Sequence, residues 1–174
     1  CWEDNAIPLA RRAAIEDLSL EFAERLRKGD AAGAYSLLSS ELRGEQTREE
    51  FTSRMKALVA AISVMQDIKV TRRYYLRVQG IPNRVMCGTI KGDAWASVAV
   101  AKDQEQAHVE LSGRNRNNVL VLALWLVLEQ ADWRVQGFHL GVGSFGDRVP
   151  ETLRELARGQ LGKGNKLNAR MFYL

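Results

Sequence analysis

The 174-residue chain has two cysteines, two histidines and three prolines, and each scarcity excludes something. Two cysteines cannot make the multi-bridge framework of a disulfide-rich mini-protein. With two histidines as well, there is no ligand pair at helical or C-x-x-C spacing, so no metal or other cofactor is expected. No G-x-G-x-x-G follows a strand pattern and no phosphate loop is present. The longest apolar run, Val119 to Leu128, is far shorter than the ~20 residues a membrane-crossing helix needs. An excess of one charge is also lacking, since 25 basic against 21 acidic residues leave +4. The basic residues are scattered, with the densest cluster at Arg72, Arg73, Arg77 and Arg84. Dedicated nucleic-acid binders concentrate such charge along one face, so no nucleic-acid partner is expected.

What is present is an ordinary globular composition, 46% hydrophobic and 26% charged, in one domain-sized length. The first half reads as helical. Ile15, Leu18, Phe22 and Leu26 recur at spacings of three and four and mark one buried stripe from Leu9 to Lys28. Gly29 can take the left-handed position that ends a helix, and Asp30 can cap the next. A second helix is predicted from Ala31 to Leu42. Thr47-Arg48-Glu49-Glu50 forms a capping box ahead of a third, whose stripe is Phe51, Met55, Leu58 and Ile62.

From Asp67 the period becomes two. Strands are predicted at Asp67–Val78, Arg84–Lys91, Ala94–Ala101, Gln106–Ser112, Val119–Glu129 and Trp133–Leu140. Gly92-Asp93 and the polar stretch from Gly113 to Asn118 are predicted turns. Glycines from Gly141 to Gly146 predict a break. A helix is then expected from Pro150, with another from Asn165. Helices followed by an antiparallel meander give an α+β chain of three N-terminal helices on a curved sheet, plus C-terminal helices. The expected division is a tether at 1–8, a domain at 9–141 and a helical extension at 142–174.

Cys1 heads a short polar tail that ends in Pro8. It reads either as a cut mark or as the lipidated cysteine of a processed lipoprotein, outside the fold in both cases. The lipoprotein reading places the chain on the periplasmic side of a bacterial membrane, held by the lipid at Cys1. Trp at position 2 is similar to outer-membrane sorting in Gram-negative lipoproteins.

The stretch from Phe22 to Phe51 combines a long helix, Gly29-Asp30, an alanine-rich turn with Tyr35, Leu37-Leu38-Ser39 and then Thr47 to Phe51. In this it resembles the nuclear-transport-factor-2-like superfamily of cone-shaped α+β domains, including its bacterial envelope members. The resemblance implies a pocket between helices and concave sheet, lined by Tyr35, Tyr74, Trp95, Trp125 and His139. The alternative is that these side chains are core packing. An isomerase or dehydratase in such a fold needs a base in that pocket. Glu110 is the only mid-strand acid in the sheet half. It shares a face with His108, and alternation with Ala107, Val109 and Leu111 turns that face to solvent.

The Val119–Leu128 strand is apolar on both faces, so both should be covered. The helices supply one cover. The C-terminal helices, or a second subunit meeting the face around Trp125, supply the other. These features predict a non-enzymatic envelope domain that binds a partner protein or small apolar ligand, with Arg72, Arg73 and Arg77 favouring acidic partners. A pocket enzyme and a structural subunit of an envelope or secretion assembly are the alternatives.

Overall fold

The computed structural model describes residues 1–77, 84–89, 94–99, 104–144 and 148–166. Strands 84–89 and 94–99 are defined by their backbone pairing and by Cys87. The predicted turn at Gly92-Asp93, the side chain of Trp95 and residues 167–174 of the helix expected from Asn165 lie outside the described residues.

Helix α1 spans Leu9–Arg27 and buries Ile15, Leu18, Phe22 and Leu26, the stripe its spacing predicts. Gly29 ends it at φ +77°. The predicted second helix is divided into α2, Ala31–Ser36, and α3, Ser40–Glu45. Two local bonds and one distant strand cause the break. Asp30 caps α2 by accepting from the Gly33 amide (2.8 Å), and Ser39 caps α3 by accepting from the Leu42 amide (3.1 Å). Between them Leu38 bridges Val135 in parallel: the Ser39 amide donates to the Val135 carbonyl and the Val135 amide to the Leu37 carbonyl, both at 2.9 Å. Helix α4, Arg48–Ser63, carries the full capping box, in which the Glu50 amide donates to Thr47 Oγ1 and the Thr47 amide to Glu50 Oε2.

Strands β1 (Trp2–Glu3), β2 (Gln66–Arg77), β5 (Glu105–Asn115), β6 (Asn118–Glu129) and β7 (Asp132–Ser144) form an antiparallel sheet in the order β1-β2-β5-β6-β7. β3 (Arg84–Thr89) and β4 (Ala94–Ala99) pair with each other. The chain is therefore α+β. The meander turns through Arg116 and Gln130, both in the left-handed region (φ 54° and 58°).

The turn expected over Gly113–Asn118 falls at Arg116–Asn117, and strand covers Gly113–Asn115 and, of the expected break, Gly141–Ser144. Gly113 lies inside β5, where a Cβ would stand 2.8 Å from Met65 Cε and 3.1 Å from the Gln66 carbonyl oxygen. Gly143 lies inside β7, where a Cβ would come within 2.8 Å of Val121. At both places glycine serves close approach within the sheet, which a turn signal does not distinguish. β7 runs past position 141 and ends at Ser144. Helix α5, Pro150–Gly162, begins on its proline as predicted, reaches β7 and buries Ala157 completely.

Residues 1–8 are docked on the domain, in place of the expected free tether. Trp2 and Glu3 pair with Tyr75 and Tyr74, Asp4 accepts from the Arg73 amide at 3.1 Å, and Ile7 is buried. This path brings Cys1 to Cys87, and the two form a disulfide with their Cα atoms 5.8 Å apart. Cys1 was expected to lie outside the fold; its sulfur instead cross-links the residue just ahead of β1 to β3.

The core lies between the helices and one sheet face. Phe22, Phe51, Leu38 and Ile15 from the helical half meet Ala107, Val109, Leu111, Leu122, Leu124, Leu126 and Val135 from the sheet, each at most 1% exposed. Phe138 joins Phe22 and Phe51 at ring separations of 5.3 and 6.1 Å.

Candidate functional site on the outer face of the sheet

Because side chains alternate across a strand, the residues not facing the helices form a second face. Strand register orders it in rows. Leu76, Gln106 and Val127 pair side by side and are buried. The next row is Tyr74, His108, Trp125 and Gly137, with Tyr74 buried and His108 and Trp125 half-buried. Then come Arg72, Glu110, Ala123 and His139, with the Arg72 and Glu110 side chains 37% and 38% exposed and His139 exposed. Ser112, Val121 and Gly141 continue toward the open end. The face thus grades from closed to solvent-accessible along its length.

The middle row is a joined unit. The His108 and Trp125 rings are stacked at 6.2 Å with planes 18° apart, and Trp125 Nε1 donates to Gln106 Oε1 at 3.2 Å. Gly137 lies beside the indole, where a Cβ would make an ordinary contact, 3.7 Å from Trp125 Cε3. Burial holds the His108 pKa below its ordinary value of 6.5 and raises that of Tyr74. His108 was expected to look at solvent. It is instead sheltered by the large ring beside it, a contact that alternation alone cannot reveal.

The lowered His108 pKa has a stability consequence. The unfolded chain takes up a proton near pH 6.5 and the folded chain only at lower pH. Stability is therefore full above the unfolded value and falls with pH until the folded value is passed. His108→Gln is expected to flatten this part of the curve, measured as urea midpoints between pH 5 and 8. An unchanged slope would show that another group carries it.

Of the five residues expected to line one pocket, the four whose side chains are described do not converge. Tyr74, Trp125 and His139 share the outer face. Tyr35 stands on the helical side, its ring tilted against Phe51 at 5.7 Å, with its hydroxyl donating to the Gln46 carbonyl (2.9 Å). It borders an open depression of about 390 Å³ lined by polar and charged residues including Arg43, Arg48 and Glu50. The helix–sheet interior, where the cone pocket was expected, is occupied by the phenylalanine and leucine core.

The basic cluster is divided as well. Arg72 is on the outer face opposite Glu110 (3.7 Å). Arg73 turns to the helices, where Glu16 (2.6 Å) and Asp4 (3.2 Å) neutralise it. Arg77 is exposed at the end of β2. Three arginines within six positions look like one patch only if alternation and later carboxylates are ignored.

Sequence reasoning also missed Arg11 and Glu105, 94 positions apart, which pair at 2.9 Å and tie α1 to β5. Glu105 is a bonding partner of the buried Tyr75 hydroxyl too, and burial followed by that carboxylate raises the Tyr75 pKa. No local spacing signals such a pair. Among the described residues no cluster of three or more metal-ligating side chains occurs, and no helix is long and apolar enough to cross a membrane. Comparison of the chain with protein-family models, with curated proteins and with solved structures finds no match.

Proposed function

We propose that the chain is a non-enzymatic binding domain of an oxidising compartment, the cell envelope, and that it engages a partner protein through the outer face of its sheet. The observation that carries this reading is the outer row of β6. Val119, Val121, Ala123 and Trp125 are apolar yet only half-buried on an antiparallel sheet, where a solvated face is ordinarily polar. An aromatic anchor with apolar neighbours and a charged rim, here Arg72 and Glu110, is the usual make-up of a protein-binding patch.

The Cys1–Cys87 bond supports the compartment, because disulfides persist where thiols are not kept reduced. A thioether lipid on Cys1 needs the same sulfur, so the cross-linked form is an unlipidated one. The order of helices before a meander accords with the cone-fold resemblance, in which sheet-face contacts are common. The packing of phenylalanine and leucine side chains between the described helices and sheet supports a reading that uses the outer surface.

The test is a photo-reactive phenylalanine analogue at position 125 in cells. Adducts are expected there and not from the same group at Glu49, an exposed helical position. Equal or absent labelling at the two sites would remove the outer face as the binding surface.

A further inference from the structure

The edge of the sheet at β7 is protected over only part of its length. At Val135 the Leu37–Ser39 segment takes both outward backbone groups. From Gly137 to Ser144 no described strand or loop pairs with the outer edge. Natural edges of this kind are usually blunted by charge, by proline or by shortness. Gly-Phe-His-Leu-Gly-Val-Gly-Ser has no charged side chain and no proline; its protections are a bulge at Gly143, past the outward positions, and the approach of α5 to β7.

The outward positions follow from the register. Glu129 pairs with Asp132 across the two-residue turn, so alternate β7 residues from Asp132 bond to β6 and Val135 points out. The irregularity between Trp125 and Leu126 adds one residue on β7. Beyond it Gly137, His139 and Gly141 bond to β6, while Phe138, Leu140 and Val142 present their amides and carbonyls outward.

We propose that this open edge pairs with the same edge of a second copy of the chain, antiparallel about a two-fold axis at Leu140. Phe138 then pairs with the second copy's Val142, and Leu140 with its own counterpart, giving about six inter-chain backbone hydrogen bonds. Three features favour a second copy as the occupant. The outward set is symmetric about Leu140, so the strand is its own match in length and spacing. The segment is uncharged, so two copies meet without like charges facing, as an isologous contact requires. The open stretch begins just past the Leu37–Ser39 block, which stops the pairing from sliding toward the turn. The result is a continuous ten-stranded sheet that sets two outer faces side by side. It does not depend on what those faces bind.

The full chain with its disulfide intact is tested by light scattering from 5 to 500 μM, with amide hydrogen exchange at both ends of that range. A dimer is expected at high concentration. The Phe138, Leu140 and Val142 amides should be protected at least tenfold more in it, and the Gly137, His139 and Gly141 amides little changed. Val142 is 50% exposed, and Val142→Lys should return the protein to monomer; Val142→Pro, which removes one outward donor, should do the same. A monomer throughout the range overturns the proposal. So does a dimer that both variants leave intact, or one that protects the outer-face row around Trp125 in place of the edge amides.

Discussion

Replacing both Cys1 and Cys87 by serine is expected to lower stability by about 4 to 5 kcal/mol. The bond closes a loop with a sequence separation of 86, and the chain-entropy model assigns a loop of that size a cost of this order in the unfolded state. Natural domains have only about 5–15 kcal/mol in all, so much of the margin is at stake. For a chain this long the urea midpoint should fall by about 2 M. The folded state changes too. Two residue pairs cannot hold β1 on the edge of β2 by themselves. The Trp2–Tyr75 ring contact at 5.2 Å, with Trp2 already 40% exposed, should loosen with the strand. Urea unfolding of the double variant against the oxidised protein, followed by tryptophan fluorescence, measures both effects. A midpoint shift under 0.5 M would show that the cross-link constrains the unfolded chain very little.

That cross-link marks where sequence reading stopped. A polar tail of eight residues ahead of a helix looks like a tether, and nothing in its composition states that Trp2 and Glu3 will find Tyr75 and Tyr74 more than seventy positions away. Elements whose causes are local were legible. The stripe of α1, the Thr47–Glu50 box and the proline start of α5 depend on residues within one or two turns of each other, and they stand where spacing put them. The predicted helix at Ala31–Leu42 failed because a β7 backbone 96 positions beyond Ser39 competes for its amide. The strand ends expected at Ser112 and Leu140 failed for a related reason, since a glycine required by a neighbouring side chain, as at Gly113 and Gly143, has the same letter as one required by a turn.

The candidate site was legible as a list and not as an arrangement. Alternation along β6 correctly separated a leucine row from a Val–Ala–Trp row, and that separation is what reveals a second apolar face. Membership of the face across strands depends on register and bulges. These put Tyr74 and His108 beside Trp125 and sent Arg73 to the opposite side from Arg72. The pocket implied by resemblance was a statement about empty space, and a sequence encodes space only through how completely its side chains fill it.

How completely they do so decides the second large effect. Phe22 is fully buried and meets the Phe138 ring, which in turn meets Phe51. Phe22→Ala is expected to cost about 3–5 kcal/mol, because the transfer energy of the ring is lost and a void remains that neighbours on a rigid sheet cannot close. Phe22→Leu should cost less, since most of the volume stays. A ligand-binding cone predicts the opposite pattern: a side chain lining an existing cavity can be truncated at little cost. The two cases differ again with an apolar probe. Benzene should leave the wild-type urea midpoint unchanged and raise that of Phe22→Ala, because a dry apolar void of that kind accepts it. A small loss of stability in Phe22→Ala, or a benzene effect already present in the wild type, would mean that the interior is a pocket, and the case for a surface function would lose its main internal support.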